Sequence, residues 1–158
     1  MRVGMGEDMH VIDASRPLVL GGVTIPGAAG LAGHSDADVL LHAITDAVLG
    51  AAGLGDIGTY FPSSDRKWKD ADSSVFLRAA VELAAVEGLA PGNVDSTVRT
   101  ERPRLSAYIE AIQESIASIM GVTVGAVNVK AKTAEGLDAV GEGRAMYATA
   151  VILLVDAS

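Results

Sequence analysis

No cysteine occurs at any of the 158 positions of the chain. Disulfides, thiolate metal sites and cysteine nucleophiles are therefore excluded. Aromatic residues are only 4% of the sequence, too few for the stacking platforms of a single-strand nucleic-acid binder. Positive charge is also short, with 12 Lys and Arg against 20 Asp and Glu and a net charge of -8. A basic footprint for nucleic acid is missing, and an anionic membrane surface repels such a chain. The apolar run Ala150 to Val155 falls far short of the ~20 residues that span a bilayer. The opening MRVGMGEDMH carries Glu7 and Asp8 rather than a basic-then-apolar signal. A soluble cytoplasmic protein is expected. There is no P-loop, no GxSxG, and no GxGxxG opening a helix after a strand.

The length suits one domain with an ordinary core. Residues 2–12 alternate like a strand, with Val3, Met5, Met9 and Val11 apolar. LVLGGVTI (18–25) predicts a hairpin around Gly21-Gly22, and 26–34 a Pro/Gly-rich loop. A helix is predicted over Asp36–Ala52, with Ser35 as N-cap and Asp38 as its capping-box partner. Residues 53–73 are irregular, and a loop of that length inside a compact domain is usually functional. Further helices are predicted over Ser74–Glu87 and Ala107–Met120, each followed by glycine. Strands are predicted over 93–100, 127–133 and 144–155. The pattern implies an α+β fold with a mixed sheet covered by helices on one face. The apolar last strand implies that other subunits bury the opposite face.

All three histidines, His10, His34 and His42, fall in the first 42 residues. Asp8 and His10, two apart on a strand, share a face. A lone His42 on so apolar a helix would be an ordinary core residue. Joined to Asp8 and His10 it makes two imidazoles and one carboxylate, a catalytic zinc pattern with its fourth position open. Asp46, one turn beyond His42, is expected to orient the His42 ring. His34 and Ser35 stand where a helix N-terminus could hold phosphate. Asp56 in GLGDIG, and Thr133 and Glu135 in KAKTAEG, could serve a ligand, a phosphate or a divalent cation, although plain turns explain them equally.

RVGMGEDMH, GHSDADVLLHAITDAVLGAAGLGDIGTYFP, GNVD and VNVKAKTAE, in this order and spacing, resemble the 2-C-methyl-D-erythritol 2,4-cyclodiphosphate synthase family over essentially the whole chain. The resemblance implies a mixed four-stranded sheet and a homotrimer around a central apolar cavity, with active sites between subunits. It implies Zn²⁺ on Asp8, His10 and His42, and Mg²⁺ or Mn²⁺ on Glu135. His34 and Thr133 would stabilise the transition state. Ser35 and His34 would touch phosphate. Asp56, Ile57, Gly58 and the loop from Phe61 to Asp65 would hold the methylerythritol part. Thr100, Pro103, Arg104, Leu105, Ser106 and Lys132 would line a cytidine pocket from the adjacent subunit. The implied reaction is an intramolecular phosphoryl transfer that releases CMP. Two readings compete with it: a catalytically silent module holding a CDP-type nucleotide and a metal, and a zinc hydrolase that opens the diphosphate with water. The chain departs from the family pattern at Glu7, Ser63-Ser64, Lys132, Ala134, Ala139, Glu142 and Arg144.

Overall fold

Arg2–Leu20 forms one long strand, β1, in the computed structural model of the chain, which describes residues 1–157. Its first half pairs antiparallel with β5 (Ala145–Asp156), from Arg2 opposite Leu154 to Val11 opposite Ala145. Its second half turns at Gly21-Gly22 and pairs with β2 (Val23–Leu31), with register shifts around Pro17. β5 also pairs antiparallel with β3 (Leu89–Arg99), and β3 pairs parallel with β4 (Val127–Lys132). The sheet order is β2-β1-β5-β3-β4.

The mixed sheet is as expected, but it has five strands rather than four. The count of four is what the family resemblance implies; β2 begins as the far arm of the expected 18–25 hairpin and runs on to Leu31 through Pro26, Gly27 and Gly30, which read as loop. β2 lies at the sheet edge, where the missing N–H of a proline costs no ladder bond.

The helices are α1 (Val39–Ala52), the short α2 (Ile57–Tyr60), α3 (Ser74–Val86), α4 (Ile109–Met120) and the short α5 (Asp138–Gly141). α1 starts at Val39 rather than Asp36, and its N-cap is Asp38, not Ser35. Asp38 Oδ1 accepts the N–H groups of Leu40 and Leu41 at 3.1 and 3.0 Å. Its Oδ2 accepts the N–H of Gly22 at 2.7 Å. One buried carboxylate thus caps the helix and pins the β1–β2 turn to it. Every α1 residue is buried except His42, Asp46 and Gly50. His42 and Asp46 are thus the only polar side chains that α1 leaves partly open.

α1 lies unusually low on β1. A Cβ added at Gly4 would sit 2.0 Å from the Ala47 carbonyl oxygen, and one at Gly6 would sit 2.1 Å from that of Ala43. The helix offers Ala43, Ala47 and Ala51 along this seam. Only glycine on the strand and alanine on the helix permit so close an approach. Leu40, Leu41, Ile44 and Leu49, all fully buried, hold the helix down, at about 1.5–3 kcal/mol each. The other sheet face exposes Val3, Met5, Met9 and Val11, each more than half exposed, with Val151 beside them.

Gly6→Ala is expected to cost about 1–3 kcal/mol or more in urea denaturation, because the helix backbone has to lift. Gly125→Ala, with nothing within 4 Å of its added Cβ, is expected to change stability by no more than ~0.5 kcal/mol. Equal costs for the two would contradict the seam.

Burial raises the Asp38 pKa from 3.8 to about 6, against the downward pull of the Leu41 and Gly22 N–H groups. Between those values the folded protein keeps a proton that the unfolded chain has lost, so stability falls as pH rises through that window. Asp38→Asn removes the titration. The stability of wild type relative to Asp38→Asn should therefore drop by up to about 3 kcal/mol from pH ~4 to ~7. A difference independent of pH would show that Asp38 titrates normally.

Candidate active site

The glycine–alanine seam brings α1 down until His42 meets Asp8 and His10 of β1. Asp8 Oδ2 lies 2.8 Å from His10 Nε2 and 3.0 Å from His42 Nδ1, and the two ring nitrogens are 3.2 Å apart. Among the described residues these three form the one cluster with converging metal-ligand atoms. Tetrahedral zinc with bonds of about 2.0–2.1 Å keeps its donors about 3.3 Å apart, so the spacing of the triangle is compatible with such an ion after an opening of a few tenths of an ångström. The three side chains keep 27, 18 and 12% of their surface for Asp8, His10 and His42. The triangle is therefore open to solvent on one side. Burial alone would push the Asp8 carboxyl up, but hydrogen bonds and charge from His10 and His42 hold it well below the usual range. Desolvation would lower His10, yet its hydrogen bond to Asp8 and one to the Ala32 backbone raise it.

Asp46 does not orient His42. Its Oδ1 accepts the Ile57 N–H at 2.7 Å, and burial raises its pKa. It ties α1 to the first turn of α2, where Asp56 Oδ1 caps the Thr59 N–H at 2.9 Å. Asp46 therefore positions the Asp56–Ile57–Gly58 turn. The free ring nitrogen of His42, Nε2, faces Ser73 Oγ at 2.9 Å and Ser35 Oγ at 3.2 Å.

The helix N-terminus expected to hold phosphate has several of its donors already engaged. The N–H groups of Asp36, Ala37, Asp38, Leu40 and Leu41 already have acceptors within the fold. Ser35 is buried, and its hydroxyl turns to His42, Ser73 and the Ala37 N–H. His34 remains at the surface, with Nε2 3.1 Å from the Asp65 carbonyl oxygen and its own carbonyl accepting the Asp70 N–H at 2.8 Å. The Arg16 guanidinium donates to the carbonyls on both sides of it, Gly33 and Ser35.

Phe61 packs on Phe76 and Trp68 with ring centroids 4.7 and 5.1 Å apart, and Phe76 lies 6.0 Å from the His42 ring. Both phenylalanines and the single tryptophan of the chain thus fasten the 53–73 loop beside the metal ligands. Asp65 caps the turn Arg66–Trp68 through the Lys67 N–H. Sequence reasoning missed Arg16, Trp68, Ser73 and Phe76. The crowding of three of the few aromatics between residues 61 and 76 was the available signal.

Thr133 and Glu135 lie elsewhere. Thr133 Oγ1 donates to Glu135 Oε1 at 2.8 Å, and Glu101 holds the turn through the Ala134 N–H at 2.7 Å. Thr133 lines an open cleft of about 1160 Å³ with Thr100, Pro103 and Arg104, and neither Asp8, His10 nor His42 reaches it. Ser106 and Lys132 are exposed nearby. Leu105 is 2% exposed and belongs to the core, so its side chain is no ligand contact. The Thr100 hydroxyl is spent on the Arg102 carbonyl at 2.6 Å. Glu142, on the cleft wall, pairs with Arg144 at 2.6 Å. Glu7, on the exposed sheet face, accepts the Tyr147 hydroxyl at 2.5 Å.

The chain matches the model of the YgbB family over residues 1–155. A 2-C-methyl-D-erythritol 2,4-cyclodiphosphate synthase of Moorella thermoacetica is 53% identical over 156 residues, covering 99% of this chain and 96% of its own. The bifunctional IspDF of Campylobacter jejuni superposes with a TM-score of 0.94 at 39% identity, over 98% of this chain and 42% of that one. A 2C-methyl-D-erythritol-2,4-cyclodiphosphate synthase solved with CDP bound superposes at 0.90 and 38% identity, over 98% of this chain and 100% of that one.

His42→Ala is expected to abolish stoichiometric zinc uptake, measured by elemental analysis after dialysis. Asp46→Ala is expected to retain it, since Asp46 serves the 56–58 turn. Loss of zinc in Asp46→Ala would return Asp46 to the metal.

Proposed function

Because the chain belongs to the YgbB family and its 2-C-methyl-D-erythritol 2,4-cyclodiphosphate synthases, we propose that it converts 4-diphosphocytidyl-2-C-methyl-D-erythritol 2-phosphate to 2-C-methyl-D-erythritol 2,4-cyclodiphosphate and CMP. It is a lyase of non-mevalonate isoprenoid biosynthesis, with residues 1–158 as one synthase domain in the cytoplasm. No helix of the described residues is long and apolar enough to cross a membrane. The observation that carries the reading is the Asp8–His10–His42 triangle with its open fourth corner.

An oxygen of the 2-phosphate attacks the β-phosphorus and closes an eight-membered ring. The bond from that phosphorus to the bridging oxygen breaks, and its electron pair leaves with CMP. Nucleophile and electrophile belong to one molecule, so the protein's main task is to fold the substrate back on itself. A phosphate is already an anion at neutral pH, so no general base is required.

Asp8, His10 and His42 hold Zn²⁺ and Glu135 holds Mg²⁺ or Mn²⁺, cations that supply Lewis-acid neutralisation of the phosphoryl charge. This is how a chain of net charge -8 can hold a polyanion. His34, held by Arg16 and Asp65, and Thr133, whose hydroxyl would be released from Glu135 once that carboxylate takes its cation, stabilise the transferring phosphoryl. Asp56, Ile57, Gly58 and Phe61 to Asp65 hold the methylerythritol part, while Ser35, beside His34, touches phosphate through its main chain. Thr100, Pro103, Arg104, Ser106 and Lys132 hold the cytidine and α-phosphate, and Leu105 supports them from the core.

The metal triangle and the Thr133 cleft do not meet within one chain. The proposed assembly is a homotrimer in which one subunit's triangle faces its neighbour's cleft. The exposed apolar face of Val3, Met5, Met9, Val11 and Val151 supports it, since such a face is covered in a stable assembly.

The test is to add the diphosphocytidyl substrate and Mg²⁺ to zinc-loaded protein and follow the phosphorus resonances. CMP and the cyclic diphosphate are expected in equal amounts. CMP with the linear methylerythritol 2,4-bisphosphate, formed by water attack on the β-phosphorus, would show a hydrolase, and binding without turnover would show a silent module.

A further inference from the structure

Ser73 stands at the N-cap of α3 yet makes no side-chain cap bond. Serine at this position normally spends its hydroxyl on the first free N–H groups of the helix. Here Asp72 takes over, accepting the Ser74 N–H at 2.8 Å. The Ser73 hydroxyl is completely buried and turns the other way, to Asp36 Oδ1 and to His42 Nε2 at 2.9 Å.

The protons on this line can be placed. Asp36 also accepts the Ser73 N–H on Oδ2 at 3.0 Å and the Asp38 N–H on Oδ1 at 3.1 Å. A carboxylate surrounded by donors is acceptor only. The single proton of the Ser73 hydroxyl therefore goes to Asp36, and Ser73 Oγ can only accept from His42. That leaves the proton of His42 on Nε2 and the lone pair on Nδ1, the atom facing Asp8 and His10. Ser35 Oγ, 3.2 Å from the same Nε2, is a second acceptor for that N–H.

We propose that Ser73 and Asp36 are positioning residues for the metal centre: Asp36 fixes the Ser73 hydroxyl as an acceptor, and Ser73 fixes the tautomer and ring orientation of His42 so that Nδ1 meets the ion. The proposal rests on reading the triangle as a zinc site. It also gives the 71–73 segment a functional reason for its tight fastening, with Asp36 N–H on the Ala71 carbonyl at 3.0 Å. Partners that hold the far side of a ligating imidazole set its basicity as well as its angle.

The test uses the full-length protein. Zinc affinity is measured by chelator competition in wild type, Ser73→Ala and Asp36→Asn, with folding checked by circular dichroism. Both variants should bind zinc about 10–100-fold more weakly than wild type. In parallel, long-range proton–nitrogen spectra of zinc-loaded, ¹⁵N-labelled wild type read the tautomers, and three histidines make the assignment tractable. His42 should carry a slowly exchanging proton on Nε2. Folded variants that keep wild-type affinity would overturn the relay, as would a proton on Nδ1 of His42 in the loaded protein. The wild-type spectrum decides even where a variant fails to fold. Failure of wild type to take up zinc at all would instead sink the metal reading.

Discussion

Everything at the metal triangle depends on how closely one helix can lie on one strand. Gly4 and Gly6 of β1 have no side chains, and the helix above them turns Ala43, Ala47 and Ala51 toward them. The missing atoms let the α1 backbone settle onto the strand. His42, the residue before Ala43, then comes within 3.0 Å of Asp8. A helix at ordinary distance over side chains would hold the imidazole too far from the carboxylate for one small ion to bridge them.

The same helix shows how buried polar groups are afforded in an apolar core. Asp38 is fully buried and is met by three backbone N–H groups. His42 is met on one side by Asp8 and on the other by Ser73. Among the described residues no buried side-chain nitrogen or oxygen lacks a partner. Each group has at least one partner from an element distant in sequence, so the fold as a whole places the site. The aromatic cluster of Phe61, Trp68 and Phe76 gives the 53–73 loop the same fastening with apolar contacts.

Much of this was legible in the sequence. Alternation in 2–12, the Gly21-Gly22 turn and the glycine stops at 88 and 121 all correspond to observed elements, and Asp8, His10 and His42 do converge. What was not legible has a common cause. The far part of β2, residues 26–31, was hidden because edge strands tolerate proline and glycine. The helix start was misplaced because Ser35 and Asp38 are both good caps, and only the tertiary contact to Gly22 decides between them. Asp46 sits at the spacing that suggests a partner for His42, yet the loop folding back at Ile57 claims it. Ser73 and Asp36 are separated by 37 residues, and no periodicity connects them. Spacing along one element reads well, whereas choices among equivalent partners are made by elements far away in sequence.

The separation of the metal triangle from the Thr133 cleft carries the largest consequence. If each proposed site joins one subunit's triangle to the next subunit's Thr133–Glu135 turn, neither half works alone, and two differently damaged chains can repair one another. His42→Ala and Glu135→Ala proteins, each inactive, would be unfolded together, refolded as mixed trimers and assayed for release of CMP. Random reassortment in a closed ring leaves about a quarter of the sites with both halves intact, so about a quarter of wild-type activity is predicted. No recovery from trimers shown to be mixed would place the whole site in one chain and contradict the account.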